Sequence, residues 1–282
     1  MSLSARVLAS GPGWSVSDVI CTAGPHDRPF EERHETVSIA AVTAGTFQYR
    51  TASGRAVLAP GGLLLGNPGA CFECGHEHGT GDRCLAFSFT PSLLEGIVAA
   101  VPGARRLTFA VPCLPPIPPL MPLLATAEAA RDAEAAAELE ELALRLGGAV
   151  AATLADTTRP VPSPSRRDAR RISDALRRIE AQAYEPLALT ELARESGMSP
   201  YHFLRTFRQV AGVTPHQFVL HTRLRRVAVR LRTTDAPVSA IAFDAGFGDL
   251  STFNRRFRRL MGCSPGAFRA RADSLSPLAG TG

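Results

Sequence analysis

The sequence predicts a multidomain protein: an N-terminal all-β barrel followed by helices, then a C-terminal all-α domain built on two helix-turn-helix units. Three observations predict it. Residues 36–90 break into short β-rich runs separated by Gly, Pro and Asn turns, residues 125–155 carry leucines at helical spacing, and the last hundred residues contain one helical pattern written twice. Strands followed by helices, rather than alternating with them, indicate separate β and α units.

The β unit is assigned to residues 1–118. Thr36–Val42 and Thr46–Thr51 are β-rich and are expected to pair as a hairpin across Thr43-Ala44-Gly45. Arg55–Ala59 follows a Ser53-Gly54 turn, and Pro60-Gly61-Gly62 precedes a short apolar strand, Leu63–Leu65, that stops at Asn67-Pro68-Gly69. Arg83–Phe89 alternates, with Leu85, Phe87 and Phe89 on one face. Many short strands at close spacing suit a small barrel or sandwich. The proline-rich stretch 111–122 reads as an extended crossing segment.

Residues 119–158 change character. Leu139, Leu142, Leu146, Val150 and Leu154 recur at helical spacing on an alanine-rich background. Such a stripe packs either on its own barrel or on a second subunit, and the region is expected to serve self-association in a homodimer. Residues 159–166, with three prolines and two serines, form a linker by composition. The helical domain is placed at 167–271 and a flexible tail at 272–282.

Charge separates the two halves. All 31 basic residues are arginine. Residues 1–159 hold 11 arginines against 16 acids, net −5, while residues 160–282 hold 20 against 10, net +10. Only the C-terminal part carries the charge of a polyanion binder, and the N-terminal part would be repelled by DNA. No apolar run is long enough to span a bilayer and no secretory leader opens the chain, so the expected compartment is the cytoplasm, with no membrane partner. There, six cysteines argue against a disulfide framework and leave metal binding, thiol chemistry or burial.

The duplicated pattern reads Ala193, Gly197, Phe203, Phe207, Gly212, Thr214-Pro215, Phe218, and again Ala242, Gly246, Phe253, Phe257, Gly262, Ser264-Pro265, Phe268. One residue inserted after the central glycine is the only slip. In the first copy, a helix from Arg167 to Ala183 ends at Pro186. Thr190 is expected to cap the next short helix, Gly197 permits the tight bend, and Ser199 caps a second helix with Pro200 in its first turn. In the second copy Val238, Ile241 and Ala242 line the first helix, and Asp249 or Ser251 caps the second. Pro215–Thr233 is expected to form one helix of 19 residues between the copies, roughly 28 Å long. Successive major-groove faces of B-DNA recur every ~34 Å, so such a spacer sets two recognition helices for adjacent grooves. Packing accounts for the phenylalanines but not for Arg205, Arg208, Arg255, Arg256, Arg258 and Arg259.

The stretches Leu192-Ala193-Arg194-Glu195-Ser196-Gly197-Met198-Ser199-Pro200-Tyr201-His202-Phe203 and Ile241-Ala242-Phe243-Asp244-Ala245-Gly246-Phe247 onward to Phe257, closing in Gly262-Cys263-Ser264-Pro265, resemble the two motifs of AraC/XylS-type transcriptional regulators. The resemblance covers roughly residues 167–271. It implies a homeodomain-like double helix-turn-helix, double-stranded DNA as a partner, RNA polymerase as a second, and commonly activation. Carried over by position, the exposed set of the first recognition helix is Pro200, Tyr201, Leu204, Arg205 and Arg208, and that of the second is Leu250, Ser251, Thr252, Asn254, Arg255 and Arg258. Arg205, Asn254 and Arg255 are the candidate base readers, since guanidinium forks onto guanine and the Asn amide onto adenine. Arg256 and Arg259 are assigned to phosphate or solvent. The N-terminal half resembles, more loosely, the cupin-like effector domain such regulators carry, which implies an unnamed small-molecule or metal effector.

Cys71, Cys74, His76, His78 and Cys84 fall within fourteen residues. Cys71-x-x-Cys74 has the spacing of a metal hairpin or a redox pair, and thiolate with imidazole suits zinc or another thiophilic ion, with Cys21, His26 or His34 as further donors from across the barrel. The opposing expectation is that Cys71 and Cys84 are buried strand residues and bind nothing. A metal- or thiol-responsive regulator is therefore the alternative function. A cupin metalloenzyme fused to a DNA-binding tail is the rival from another class. His76-x-His78 invites it, but the later histidine such a site needs is absent, since residues 85–201 hold none. No catalytic residues are assigned and no cofactor is certain.

Overall fold

The alternation within β9 (Asp82–Phe89) explains the layered N-terminal half. Leu85, Phe87 and Phe89 are fully buried on one face, packed with Val37, Ile39, Ala41, Leu63 and Leu65 against helices, while Cys84 and Ala86 face the opposite way toward a second sheet. Each buried leucine or phenylalanine contributes about 2–3 kcal/mol. The computed structural model describes residues 3–27, 30–76, 81–105, 108–155, 164–185 and 187–273. Within them, β1 (Leu3–Gly11), β2 (Trp14–Cys21), β9, β4 (Val37–Gly45), β7 (Leu63–Gly66) and β10 (Cys113–Leu114) form one antiparallel sheet in that order. The order β3 (Phe30–Arg33), β8 (Cys71–Gly75), β5 (Phe47–Thr51), β6 (Gly54–Leu58) makes the other. Phe47, Tyr49 and Leu58 from the smaller sheet meet Ala40, Val42, Leu64 and Cys84 from the larger one inside the barrel.

The expected hairpin across Thr43-Ala44-Gly45 does not form. β4 pairs with β9 and β7, whereas β5 pairs with β6 and β8. β4 is apolar on both faces and nearly continuously buried, so it takes a central position in the larger sheet. The chain turns the corner at Gly45 (φ +79°) and passes to the other sheet. The hairpin that does form is β5–β6, across the Ser53-Gly54 turn. The β1–β2 hairpin lay outside the strand reading, because β1 is an edge strand with most residues exposed and carries no burial pattern.

The helical region is split. After α1 (Pro91–Ala99) come α2 (Met121–Asp132) and α3 (Ala136–Ala155), separated at Glu134, whose φ is +53°. Leu139, Leu142, Leu146 and Val150 are buried in the same core as Phe87 and Phe89. The stripe read for self-association thus covers the chain's own sheet. Among the described residues, no helix is long and apolar enough to cross a membrane. Residues 156–163, which include most of the expected linker, and residues 274–282 lie outside the described residues.

The C-terminal half is α4 (Arg166–Gln182), α5 (Leu189–Glu195), α6 (Pro200–Ala211), α7 (Pro215–Thr233), α8 (Val238–Asp244), α9 (Leu250–Met261) and α10 (Pro265–Asp273). One core gathers Ile172, Leu176, Phe203, Phe207 and Phe218; a second gathers Leu224, Ile241, Phe253, Phe257 and Phe268. Both cores reach into the N-terminal half: Ala59 joins the first, and Met121 and Ala125 of α2 join the second.

A polar network crosses the same boundary. Arg225 of α7 donates to both carboxylate oxygens of Glu128 on α2, at 2.7 and 2.8 Å, and to the Thr43 carbonyl at 3.3 Å. The Arg225 and Glu128 side chains are only 4% and 10% exposed. Arg131 donates to the Thr43 hydroxyl, which donates to the Arg83 carbonyl. The Gly45 backbone faces the Glu180 carboxyl of α4, which burial pushes above its usual range. Arg232 pairs with Glu138 nearby, both largely buried. Unpaired buried charge costs several kcal/mol, so this network requires the two halves to stay docked.

Candidate nucleic-acid interface

The two repeats build the same local geometry. In the first, α5 and α6 are joined at Gly197 (φ +59°); in the second, α8 and α9 are joined at Gly246 (φ +80°). A side chain at Gly246 would also meet the Tyr184 carbonyl at 2.4 Å, so both conformation and space demand glycine there. Ser199 accepts the His202 N–H at the start of α6, and Asp249 accepts the Thr252 N–H at 2.6 Å at the start of α9. The carboxyl of Asp249 is held below its usual range chiefly by that backbone N–H. Both helices close on a left-handed glycine, Gly212 and Gly262. Thr190 caps nothing: α5 begins at Leu189 with Ala188 at its N-cap, which places Thr190 within the first turn. Pro186 lies outside the described residues.

Between the repeats, α7 runs Pro215–Thr233, opened by a capping box of Thr214 and Gln217. Phe203 and Phe207, like Phe253 and Phe257, point inward and are fully buried. That fixes the outward faces. Pro200, Arg205 and Arg208 are exposed on α6, and Ser251, Asn254, Arg255 and Arg258 on α9. Ser251, Asn254, Arg255, Arg258 and Arg259 line one shallow groove. The backbone of Tyr201 lies on α6; its side chain is outside the described residues. Thr252 is half-buried at the cap.

Two of the expected exposed residues are only partly so. Leu204 lines a cleft between the helix-turn-helix units with Leu192, Pro215, Val219 and Arg223, and Leu250 packs against the second core. Arg256 is half-buried and lines the same cleft, so it separates from Arg259, which stays with the exposed set.

The structure also sorts the arginines by task. Arg223 donates to the carbonyls of Ala183, Glu185 and Gly246, tying α7 to the segment after α4 and to the turn between α8 and α9. Arg269 closes the end of α7 through the Leu231 and Ala236 carbonyls, and Arg178 pairs with Glu191 and Glu195. By contrast, no ion pair to a carboxylate is found among the described residues for Arg205, Arg208, Arg255, Arg258 or Arg259. Forked donors left free on two capped helices suit base edges and phosphates. Reading the sequence alone missed the clamp role of Arg223 and the docking role of Arg225; the run Arg223-Leu224-Arg225-Arg226 on one helix carries no signal that separates them.

The cysteine–histidine cluster does not converge as expected. Cys71 and Cys74 lie on strand β8, where residues three apart face opposite sides. Cys71 is accordingly exposed, while Cys74 joins the barrel interior with Cys84. Metal hairpins hold CxxC on a turn, so strand geometry removes Cys71 from any shared site. His78 lies outside the described residues. His76 is buried, with Nε2 2.6 Å from Asp82 Oδ1. Burial pushes the Cys21, Cys74 and Cys84 thiols up, with the Asp82 carboxylate adding to the shift.

Comparisons with known proteins agree with this division. A family model described as "AraC-like ligand binding domain" matches residues 20–158, and one described as "Helix-turn-helix domain" matches 192–271. The chain is 36% identical to the regulatory protein SoxS of Escherichia coli K12 over 100 residues, which is 36% of this chain and 94% of SoxS. It is 32% identical to the HTH-type transcriptional activator AarP of Providencia stuartii over 107 residues, 38% of this chain and 79% of AarP. Among solved structures, a regulator with an AraC-type DNA-binding domain from Chromobacterium violaceum is 26% identical, with a TM-score of 0.35, covering 39% of this chain and 96% of that one.

Proposed function

The chain belongs to the AraC/XylS-type family of transcriptional regulators, a DNA-binding regulator with an N-terminal ligand-binding domain, and from that premise we propose that it is an effector-controlled activator reading an asymmetric site with α6 and α9. The observation that carries the proposal is the set of free arginines, Arg205, Arg208, Arg255, Arg258 and Arg259, on two capped helices that one 19-residue helix holds apart. Arg205, Asn254 and Arg255 read base edges, while the outer arginines meet phosphate. Two residues after Phe203 and Phe253 both copies carry arginine, Arg205 and Arg255; the unlike pair, Leu204 against Asn254, makes the two half-reads different.

Control enters through the docked boundary. The Arg225–Glu128–Thr43 contacts and the Gly45–Glu180 contact join the barrel to α7 and α4, so an effector that favours one arrangement of the barrel shifts the population competent for DNA. RNA polymerase is the second partner of an activator, and the protein works in the cytoplasm, where the chromosome is. A second copy of the chain is proposed to occupy a neighbouring half-site. The test is selection of duplexes from a random library by the full chain, followed by titration at several salt concentrations. Three phosphate-neutralising arginines, Arg208, Arg258 and Arg259, predict a logarithmic salt slope of about −3 or steeper. A flat salt response, or no enriched sequence, would refute the reading.

A further inference from the structure

One end of the barrel holds a cluster that the DNA-binding account does not use. The Cys21 thiol, the His76 imidazole and the Asp82 carboxylate each offer a ligand atom, and these atoms lie within 4.8 Å of one another. Cys21 and His76 are 5% exposed. Three separate chain segments supply them: the end of β2, the residue after β8, and the first residue of β9. β-Pairing places Asp82 directly opposite Cys21. A glycine makes the approach possible. At Gly81 (φ +80°) an added side chain would meet the Cys21 carbonyl at 1.8 Å.

The surroundings are those of a ligand shell. The Ala23 N–H points at Cys21 Sγ, at 3.5 Å, the kind of backbone donor that stabilises a metal-bound thiolate. Cys84 Sγ donates to the second oxygen of Asp82 at 3.4 Å and so helps to orient that carboxylate from outside the three-residue group. In a tetrahedral zinc site, with bonds of about 2.0–2.3 Å, donor atoms stand roughly 3.3–3.8 Å apart. Donor atoms now within 4.8 Å of one another would draw to that spacing, and the His76–Asp82 contact, 2.6 Å, would open toward it. One thiol, one imidazole and one carboxylate suit a thiophilic divalent ion of the zinc type.

The site also adjoins the domain boundary. Asp82 is paired on its other side with Gly45, whose backbone faces Glu180 of α4. A side chain on Gly45 would meet the Gly81 carbonyl at 2.4 Å, so the two strands touch there without slack. Two residues earlier, the Thr43 carbonyl receives Arg225 of α7.

We propose that Cys21, His76 and Asp82 form a three-residue binding site for a zinc-type cation, and that its occupancy changes how α4 and α7 rest on β4. The second half rests on the reading of the protein as a DNA-binding regulator whose control passes through that boundary. This donor set differs from the CxxC reading, since it uses Cys21 and Asp82 and leaves out Cys71.

The test uses the full chain, freed of metal with a chelator. Zn²⁺ is titrated against a chromophoric competitor, and Co²⁺ serves as the spectroscopic probe. The expected result is one equivalent bound, with a thiolate-to-cobalt charge-transfer band. Cys21→Ser and Asp82→Asn should each weaken binding at least tenfold, and Cys71→Ser should not. Circular dichroism checks that each variant is folded, and Cys21→Ser, the smaller change, carries the test if Asp82→Asn does not fold. Substoichiometric binding, or Cys21→Ser binding as tightly as Cys71→Ser, overturns the site. In the same samples, affinity for a selected duplex should change at least fivefold with Zn²⁺ in the wild type and not in Cys21→Ser. Metal binding with unchanged DNA affinity overturns the coupling alone, and absence of any specific DNA binding, with or without metal, strikes at the regulator reading instead.

Discussion

Removing the Glu128 carboxylate probes the joint between the two halves. Arg225 is 4% exposed at its side chain and makes two charge-assisted bonds to Glu128, so Glu128→Ala leaves a guanidinium buried with only the Thr43 carbonyl and the more distant Glu180 for company. Breaking a buried pair by deleting one partner costs about 3–5 kcal/mol, and the remaining acceptors place the expected loss near about 3 kcal/mol. Replacing both members, Glu128→Met with Arg225→Met, removes the orphaned charge and is expected to fall within about 1 kcal/mol of wild type. Urea unfolding supplies the assay with two independent probes. Trp14, the single tryptophan, sits in the N-terminal core between the larger sheet and the helices that cover it, while the helical dichroism is dominated by α4–α10. In the wild type the two transitions should coincide; in Glu128→Ala they should separate, the helical one moving to lower urea. A single-mutant loss under about 1 kcal/mol, with coincident transitions, would refute the claim that this pair holds the halves together.

Three further outcomes follow from the geometry. Arg223→Met strands the carbonyls of Ala183, Glu185 and Gly246; it should cost about 2–4 kcal/mol in thermal unfolding and weaken DNA binding on both half-reads, because the clamp spans both repeats. Thr214→Ala removes the capping box of α7 and should cost about 1 kcal/mol in the same assay, with Thr214→Ser restoring most of it. His34 stacks on Phe72 and bonds the Tyr49 hydroxyl, and burial lowers its pKa to about 4. A histidine depressed in the folded state contributes stability above its unfolded pKa of about 6.5, and that contribution is lost as pH falls toward 4, by about 2–3 kcal/mol. The Trp14 urea midpoint should fall over that window, and His34→Phe should flatten the fall; an equal slope in both proteins would remove His34 as its cause.

The residues that were legible in the sequence are those whose job is local. α7 runs Pro215–Thr233 as read, because Thr214-Pro215 marks its start and the helical spacing of its apolar residues marks its extent. The caps Ser199 and Asp249 and the inward phenylalanines follow from periodicity and from the hydrogen-bonding needs of helix ends. What was not legible depends on partners far along the chain. Thr43-Ala44-Gly45 looks like a turn between neighbouring strands, yet β4 and β5 go to different sheets because burial on both faces draws β4 to the centre. Cys71 and Cys74 look like a pair until strand geometry turns them apart, and of the three distant donors the sequence offers, Cys21, His26 and His34, only the fold picks out Cys21 beside His76. Arg225 and Arg205 are indistinguishable as letters; only the fold shows that one is buried on Glu128 and the other left free.

In the proposed function, α6 and α9 read two different patches of one duplex. Methylation interference on a selected duplex tests it most directly, run with wild type, Arg205→Ala and Arg255→Ala. The account predicts two major-groove patches about one helical turn apart, with Arg205→Ala erasing preference at one and Arg255→Ala at the other, each at a cost of about 1–3 kcal/mol. A single protected patch, or equal weakening of both patches by either substitution, would contradict it.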